Sequence, residues 1–298
     1  METILKSARK TVIVSPEKPT VLIGERINPT GKKRLAAALE EGNLDVVRLE
    51  AEAQVEAGAD VLDVNVGAAG VDEVNLLPRV VRLVMETVNV PLCIDSASAE
   101  ALRAALTVHK ELAAQGKPLV NSVSGEEASL GRVLPLVAEY ETAVIGLVMD
   151  DGGIPPTPEE RLAVARKIVE RAEALGIPRQ DIVIDCLALA VGADSQAGRI
   201  TLEAIRMVRR ELGVNMTLGA SNVSFGLPER EVINRAFLVM AIQNGVNCPI
   251  VDVAKVHPAI LAADLLLGRD QYATRYLRAY RKRSKKLRHR RPGVVEAR

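Results

Sequence analysis

The chain has no tryptophan, only two phenylalanines and four tyrosines, so aromatics make up 2% of its 298 residues. Proteins that bind single-stranded nucleic acid stack bases on aromatic side chains, and such a platform is excluded here. Cysteine is nearly as rare. Cys93, Cys186 and Cys248 lie far apart with no CxxC and no adjacent histidine pair. A disulfide framework and a zinc site are therefore excluded, and the pattern fits a reducing cytoplasm. Only three histidines are present. His109 falls inside a helical pattern and His257 opens another just before Pro258, so both read as structural rather than catalytic. No apolar run reaches the ~18 residues that span a bilayer, and the first residues, METILKSARKTVIV, do not make a signal peptide.

Net charge is also small, at +1, which excludes a surface tuned throughout for DNA or acidic membranes. The exception is RAYRKRSKKLRHRR, Arg278 to Arg291, with nine basic residues and no acid. Apart from those nine, the chain carries about −8, an ordinary acidic enzyme surface. The tail reads as a solvated helix end, with a docking or nucleic-acid role as the alternative.

What is abundant is aliphatic: hydrophobic residues make up 48%. Short Val/Ile/Leu runs read as strands buried on both faces at Thr20–Glu25, Val61–Gly67, Pro91–Ser96, Pro118–Val123, Ala143–Met149, Asp181–Leu187, Asn215–Val223 and Cys248–Ala254. Between them, helical periodicity covers Leu44–Ala57, Asp72–Thr87, Ala99–Ala114, Glu126–Glu141, Pro158–Leu175, Ile200–Leu212, Glu229–Asn244 and His257–Leu267. Gly58, Gly116, Gly176, Gly213 and Gly245 mark helix ends, and Thr157-Pro158 with Glu160 marks a helix start. Eight strand–helix units in about 250 residues predict a single-domain α/β fold, the (β/α)8 TIM barrel. The competing doubly wound sheet lacks its GxGxxG after the first strand. The reading divides the chain into an N-terminal extension with an extra strand or hairpin (1–20), the barrel (21–268) and a C-terminal helix with the basic tail (269–298).

Catalytic groups of such barrels sit at the C-terminal ends of the strands. Those ends carry Glu25, Arg26 and Asn28; Asp63 and Asn65; Asp95 and Ser96; Asn121 and Ser122; Met149 and Asp150; Asp185; Ser221 and Asn222; and Asp252. Helix capping accounts for one or two of these, such as Asp150 or Ser96, but not for the set. The rim has carboxylates and carboxamides, no catalytic His, and no phosphate-cradling glycine loop, and no metal site is expected. Such groups match a neutral heterocycle whose edge alternates N–H donors and carbonyl acceptors, as a pterin's does.

Six motifs in order carry a family resemblance: IGERINPTGKK (Ile23–Lys33), LDVNVG (Leu62–Gly67), CIDS (Cys93–Ser96), VNSVS (Val120–Ser124), IDCL (Ile184–Leu187) and GASNVSFGLPER (Gly219–Arg230). The chain resembles the pterin-binding methyltransferases: methyltetrahydrofolate:corrinoid-protein methyltransferases and the folate domain of cobalamin-dependent methionine synthase. The resemblance implies methyl transfer between N5 of methyltetrahydrofolate and the cobalt of a corrinoid carried by a partner protein. It implies that Asp95, Asn121 and Asp185 clamp the pterin and that Asn222 reaches N5, with Asp95 helping to organise the proton. Glu25, Asn28 and Asn65 match a polar floor, with Ser96 beside it. Gly219 and Ser221 leave room for the ring, and Arg230 matches the loop facing the corrinoid. Phe225 is closer to the methionine synthase domain, whereas the short Asn222–Arg230 loop matches the stand-alone enzymes, for which a homodimer is expected. Dihydropteroate synthase shares the fold and much of the clamp. It expects a basic residue at strand 7, where this chain has no Lys or Arg between Thr217 and Glu229. A non-catalytic pterin- or corrinoid-protein-binding module is a further alternative.

Overall fold

A computed structural model describes residues 1–289, with no side-chain description beyond residue 284; the last part of the basic tail lies outside the described residues. The chain opens with an antiparallel hairpin, β1 (Thr3–Lys6) and β2 (Thr11–Val14). Eight parallel strands follow: β3 (Ile23–Ile27), β4 (Val61–Asn65), β5 (Leu92–Asp95), β6 (Leu119–Ser124), β7 (Ala143–Leu147), β8 (Ile182–Asp185), β9 (Asn215–Thr217) and β10 (Ile250–Val251). They pair in the order β10-β3-β4-β5-β6-β7-β8-β9. The ring closes where Cys248 N donates to Met216 O and Ile250 N to Leu218 O, both at 3.1 Å. This is the expected (β/α)8 barrel.

The outer ring is α1 (Lys33–Glu40), α2 (Asp45–Ala57), α3 (Glu73–Thr87), α4 (Ala99–Leu112), α5 (Glu127–Tyr140), α6 (Pro158–Ala174), α7 (Ala197–Leu212), α8 (Arg230–Asn244) and α9 (Val253–Leu266); α10 (Thr274–His289) continues beyond it. Their apolar stripes pack on the sheet's outer face, giving the larger of two cores. At α6 the expected start is a full capping box: Thr157 accepts from Glu160 N at 3.2 Å, the Glu160 carboxylate accepts in return from Thr157 N, and Pro158 opens the helix. Gly58 ends α2 at φ +112°, where a Cβ would come within 2.5 Å of the His257 ring. His257 itself holds Ala57 O through Nδ1 at 2.8 Å, a structural role. His109 is buried in α4.

Three expectations need correction. The seventh barrel strand, β9, ends at Thr217 instead of Val223; Ala220–Ser224 is a 3-10 turn, because the small polar run bonds to itself rather than to neighbouring strands. The eighth is only two residues long, since Asp252 already begins α9, and His257 is therefore inside that helix, not its opening. Helix α1 was not foreseen: it follows Asn28–Gly31, ahead of Leu44, where the first helical stretch was expected.

The smaller core fills the barrel's lower half. Ile23, Val61, Cys93, Leu119, Ala143, Ile145, Val183 and Cys248 point inward, and Leu5, Val12 and Val14 of the hairpin close the bottom beneath them. Asn215 of β9 anchors that plug, donating to Thr3 Oγ1 at 2.8 Å and Val14 O at 3.0 Å. No helix among the described residues is long and apolar enough to cross a membrane.

Candidate active site

Strand periodicity places the polar rim. Side chains two residues apart share a face, so each residue two beyond an interior apolar one also faces the barrel axis, one layer higher. Glu25 follows Ile23, Asp63 and then Asn65 follow Val61, Asp95 follows Cys93, Asn121 follows Leu119, and Asp185 follows Val183. The register confirms that these belong to common layers: Asn65 is opposite Asp95, and Asp95 opposite Asn121. The result is a polar floor of carboxylates and amides lying directly on an aliphatic plug.

Within this floor, Asn121 Nδ2 donates to Asp63 Oδ1 at 3.1 Å. Burial first, and the Asp95 charge second, push the Asp63 carboxyl well above the usual carboxylate range. Burial also raises Asp95 to about 6, opposed by a hydrogen bond from Asn65 and reinforced by Glu73. Asp185, 5% exposed, is raised by burial to about 6 as well. Both its oxygens are already held by backbone: Oδ1 accepts from Leu187 N at 2.7 Å and Oδ2 from Gly219 N at 3.2 Å. Each oxygen keeps a second lone pair for a ligand.

Strand β3 supplies a charged corner. Burial raises Glu25, with Lys32 opposing the shift. Lys32 Nζ donates to the carbonyls of Glu25 at 3.2 Å and Asn28 at 2.9 Å, and burial lowers its own value. Asn28 Oδ1 accepts from Thr30 N and turns the chain. Ser96 serves the loop: its hydroxyl donates to Glu73 and accepts from Ser98 N at 3.0 Å. Asp150 likewise caps its own turn through Gly152 N. Asp252 faces Arg26 and Lys255 at 3.6 and 3.7 Å.

The segment Gly219–Arg230 forms a separate, outer part of the rim. The Asn222 side chain is exposed and makes no hydrogen bond among the described residues. Phe225 is 69% exposed. Arg230 clamps the turn, donating to Ser224 Oγ at 3.0 Å and to the Ser221 carbonyl at 2.8 Å, with its guanidinium 6.0 Å from the Phe225 ring centre. The expected site residues thus form two groups: an inner floor (Asn65, Asp95, Asn121, Asp185, Glu25) and an outer turn carrying Asn222 and Phe225. The Gly219–Asp185 bond joins them.

The chain and its fold have known counterparts. The family model for "Pterin binding enzyme" matches residues 24–252. The chain belongs to the pterin binding enzyme family. It is 34% identical over 272 residues to a methylcorrinoid:tetrahydrofolate methyltransferase of Eubacterium limosum, covering 88% of this chain and 96% of that protein. It is 31% identical over 266 residues to the methionine synthase of Mycobacterium leprae, covering 85% of this chain but only 22% of that much longer protein. Among solved structures, DHPS of Yersinia pestis with a pterine-sulfa conjugate superposes at a TM-score of 0.69 over 90% of this chain and 99% of that one. Its 17% identity speaks to the shared fold alone.

Three buried or half-buried polar groups in or beside this floor were not among the site residues the resemblance implies. Asp63 was visible as a strand-end carboxylate two residues before Asn65, on the same face. Lys32 was hidden in a loop motif. Arg161 gave no signal, since an arginine near the start of an amphipathic helix reads as surface. A cavity of about 490 Å³ lies at the opposite pole, lined by Lys6, His109, Lys117, Thr142 and Asp181, and contains none of these residues.

Proposed function

We propose that the protein transfers a methyl group between N5 of methyltetrahydrofolate and the cobalt of a corrinoid held by a partner protein. The observation that carries this reading is Asp185. It is a buried carboxylate at the mouth of a barrel, fixed by two backbone amides and free to accept the paired N–H groups of a pterin edge. Asn121 and Asp95 belong to the same floor with Asn65 and Glu25, while Ser96 and Asn28 support the loops above it. The methyltransferase name of the Eubacterium limosum relative, shared over nearly its whole length, supports the reaction class.

In this mechanism the chain positions and polarises. The corrinoid's cobalt, when its carrier docks, supplies the acceptor or donor of the methyl group. N5 is a poor leaving group as a neutral amine, so it needs a hydrogen bond or proton as the methyl departs. Asn222, with its carboxamide unengaged, donates that hydrogen bond, which strengthens as charge develops. Asp95 organises the proton. Its value of about 6 leaves it able to hold or release one near neutrality. Gly219 and Ser221 leave room for the ring, and Phe225 and Arg230 face the incoming carrier. The chain works as a homodimer in the cytoplasm, with the barrel over 21–268 and flanking segments at 1–20 and 269–298.

Dihydropteroate synthase chemistry is disfavoured by the absence of any Lys or Arg between Thr217 and Glu229. The test is spectroscopic: mix the protein with methyltetrahydrofolate and reduced cobalamin and follow the cobalt(I) absorbance. Loss of the band supports the reading. Binding of methyltetrahydrofolate with no change in the band would make the protein a non-catalytic pterin module instead. Asn222→Ala should lower turnover by on the order of 10²–10³ with little change in folate affinity, the scale of losing one such donor.

A further inference from the structure

Arg161 is the largest side chain that is fully buried, at 1% exposed, yet among the described residues it forms no ion pair. It sits in the first turn of α6, where the capping box at Thr157 fixes the helix start. All its hydrogen bonds go to neutral oxygens. Nε donates to Pro155 O at 3.0 Å, and Nη1 donates to Cys186 O at 2.9 Å, Leu187 O at 3.0 Å and Thr201 Oγ1 at 3.1 Å. Thr201, from α7, donates its own hydroxyl to Leu187 O at 3.1 Å. A buried guanidinium is costly to desolvate, so a place in the interior without a carboxylate partner calls for an explanation.

The explanation lies one peptide away. Leu187 has φ +57°, a left-handed conformation that leucine avoids without restraint. In that conformation its carbonyl is gripped by Arg161 and Thr201, while its N–H points back to Asp185 Oδ1 at 2.7 Å. Among the described residues, the guanidinium is also the one charged group whose field opposes the burial of Asp185. The other titratable groups that face this carboxylate are Cys186 beside it and Cys248 at the entry to β10. Burial pushes both thiols far up, so they stay neutral.

We infer that Arg161 is a positioning residue for pterin binding. It locks the Leu187 peptide so that Asp185 is presented in one orientation, and it supplies the buried positive charge that keeps this carboxylate ionised as the ligand displaces water. The inference rests on Asp185 being the pterin-binding carboxylate. It assigns specific work to a residue in a helix, outside the strand ends that carry the rest of the site.

The test is titration calorimetry with methyltetrahydrofolate from about pH 5 to about pH 8, alongside thermal melts and turnover at saturating folate. Arg161→Gln should lower affinity at neutral pH about tenfold, the scale of a hydrogen bond to a charged group. It should also move the acid limb of the binding profile to higher pH while leaving kcat at saturation unchanged. Arg161→Lys, which keeps the charge, should return the limb to its wild-type position. Thr201→Val should weaken binding with the limb unmoved. A purely structural arginine would lower the melting temperature without shifting the limb, and that result in a folded Arg161→Gln protein overturns the inference. Should Arg161→Gln not fold, wild-type affinity in both Arg161→Lys and Thr201→Val overturns it. Asp185→Asn separates the two readings. Lost binding there, with wild-type binding in the Arg161 and Thr201 variants, defeats this inference alone, whereas wild-type binding in Asp185→Asn defeats both.

Discussion

Asp185 makes stability and ligand affinity pull in opposite directions with pH, and Asp185→Asn should remove both effects together. The carboxyl titrates at about 6 in the folded protein against an ordinary 3.8, because burial outweighs the two backbone amides and Arg161. A group raised in this way stabilises the fold when protonated: the contribution is fully present below about pH 4 and lost as pH rises through about 6. Between about pH 7.5 and pH 5 the wild type should therefore gain about 1.4 kcal/mol from this one group. The ionised form is the one that accepts two N–H groups of the pterin, so affinity should fall about tenfold over the same interval. Urea denaturation and titration calorimetry at the two pH values, on wild type and Asp185→Asn, measure both. Asp95 shares the direction and value of the shift, and its contribution cancels in the difference between the two proteins. An equal pH dependence of stability in wild type and variant would refute the reasoning, as would a flat binding profile in the wild type.

Three further outcomes are expected. Asn121→Ala should weaken folate binding and, by leaving Asp63 without its amide partner, cost about 1–2 kcal/mol of stability; calorimetry and denaturation read the two separately. Arg230→Ala should release the Ala220–Ser224 turn and slow methyl transfer while shifting stability by no more than about 1 kcal/mol, and undiminished turnover would show that the clamp is idle. Gly58→Ala should destabilise by about 2–3 kcal/mol, since the new methyl meets the His257 ring and the backbone stays left-handed there; a neutral result in urea would contradict the close approach.

Much of this was legible before the fold was known, for a physical reason. A parallel barrel strand must be apolar until it clears the core, so the first polar residue that faces inward marks the rim, and Asp63, Asp95, Asn121 and Asp185 all announce themselves this way. The same rule failed at Asn215–Val223, where Val223 looks like strand but is a buried member of a 3-10 turn held by Ser224 and Arg230, contacts that strand periodicity does not foresee. Helix α1 was lost because its start, Lys32, makes no side-chain cap and instead reaches back to Glu25 and Asn28. Arg161 was unreadable because its purpose lies in a loop 25 residues later. Charge and spacing in a helix carry no record of which carbonyls a buried guanidinium meets.

The hairpin under the barrel has a consequence for the order of assembly. Thr3 bonds to residues 177 and 212 positions later, and Val14 to one 201 positions later. On the ribosome, β1 and β2 emerge before the barrel they close: Lys6 can pair with Lys117 once that residue is made, but the Asn215 anchor arrives only with β9. The core that covers Leu5, Val12 and Val14 is complete only when Val183 and Cys248 join Ile23, Val61, Cys93 and Leu119. The plug is translated before the barrel it closes and is fully anchored only after Asn215 is made, so stalling before Asn215 should leave it unanchored.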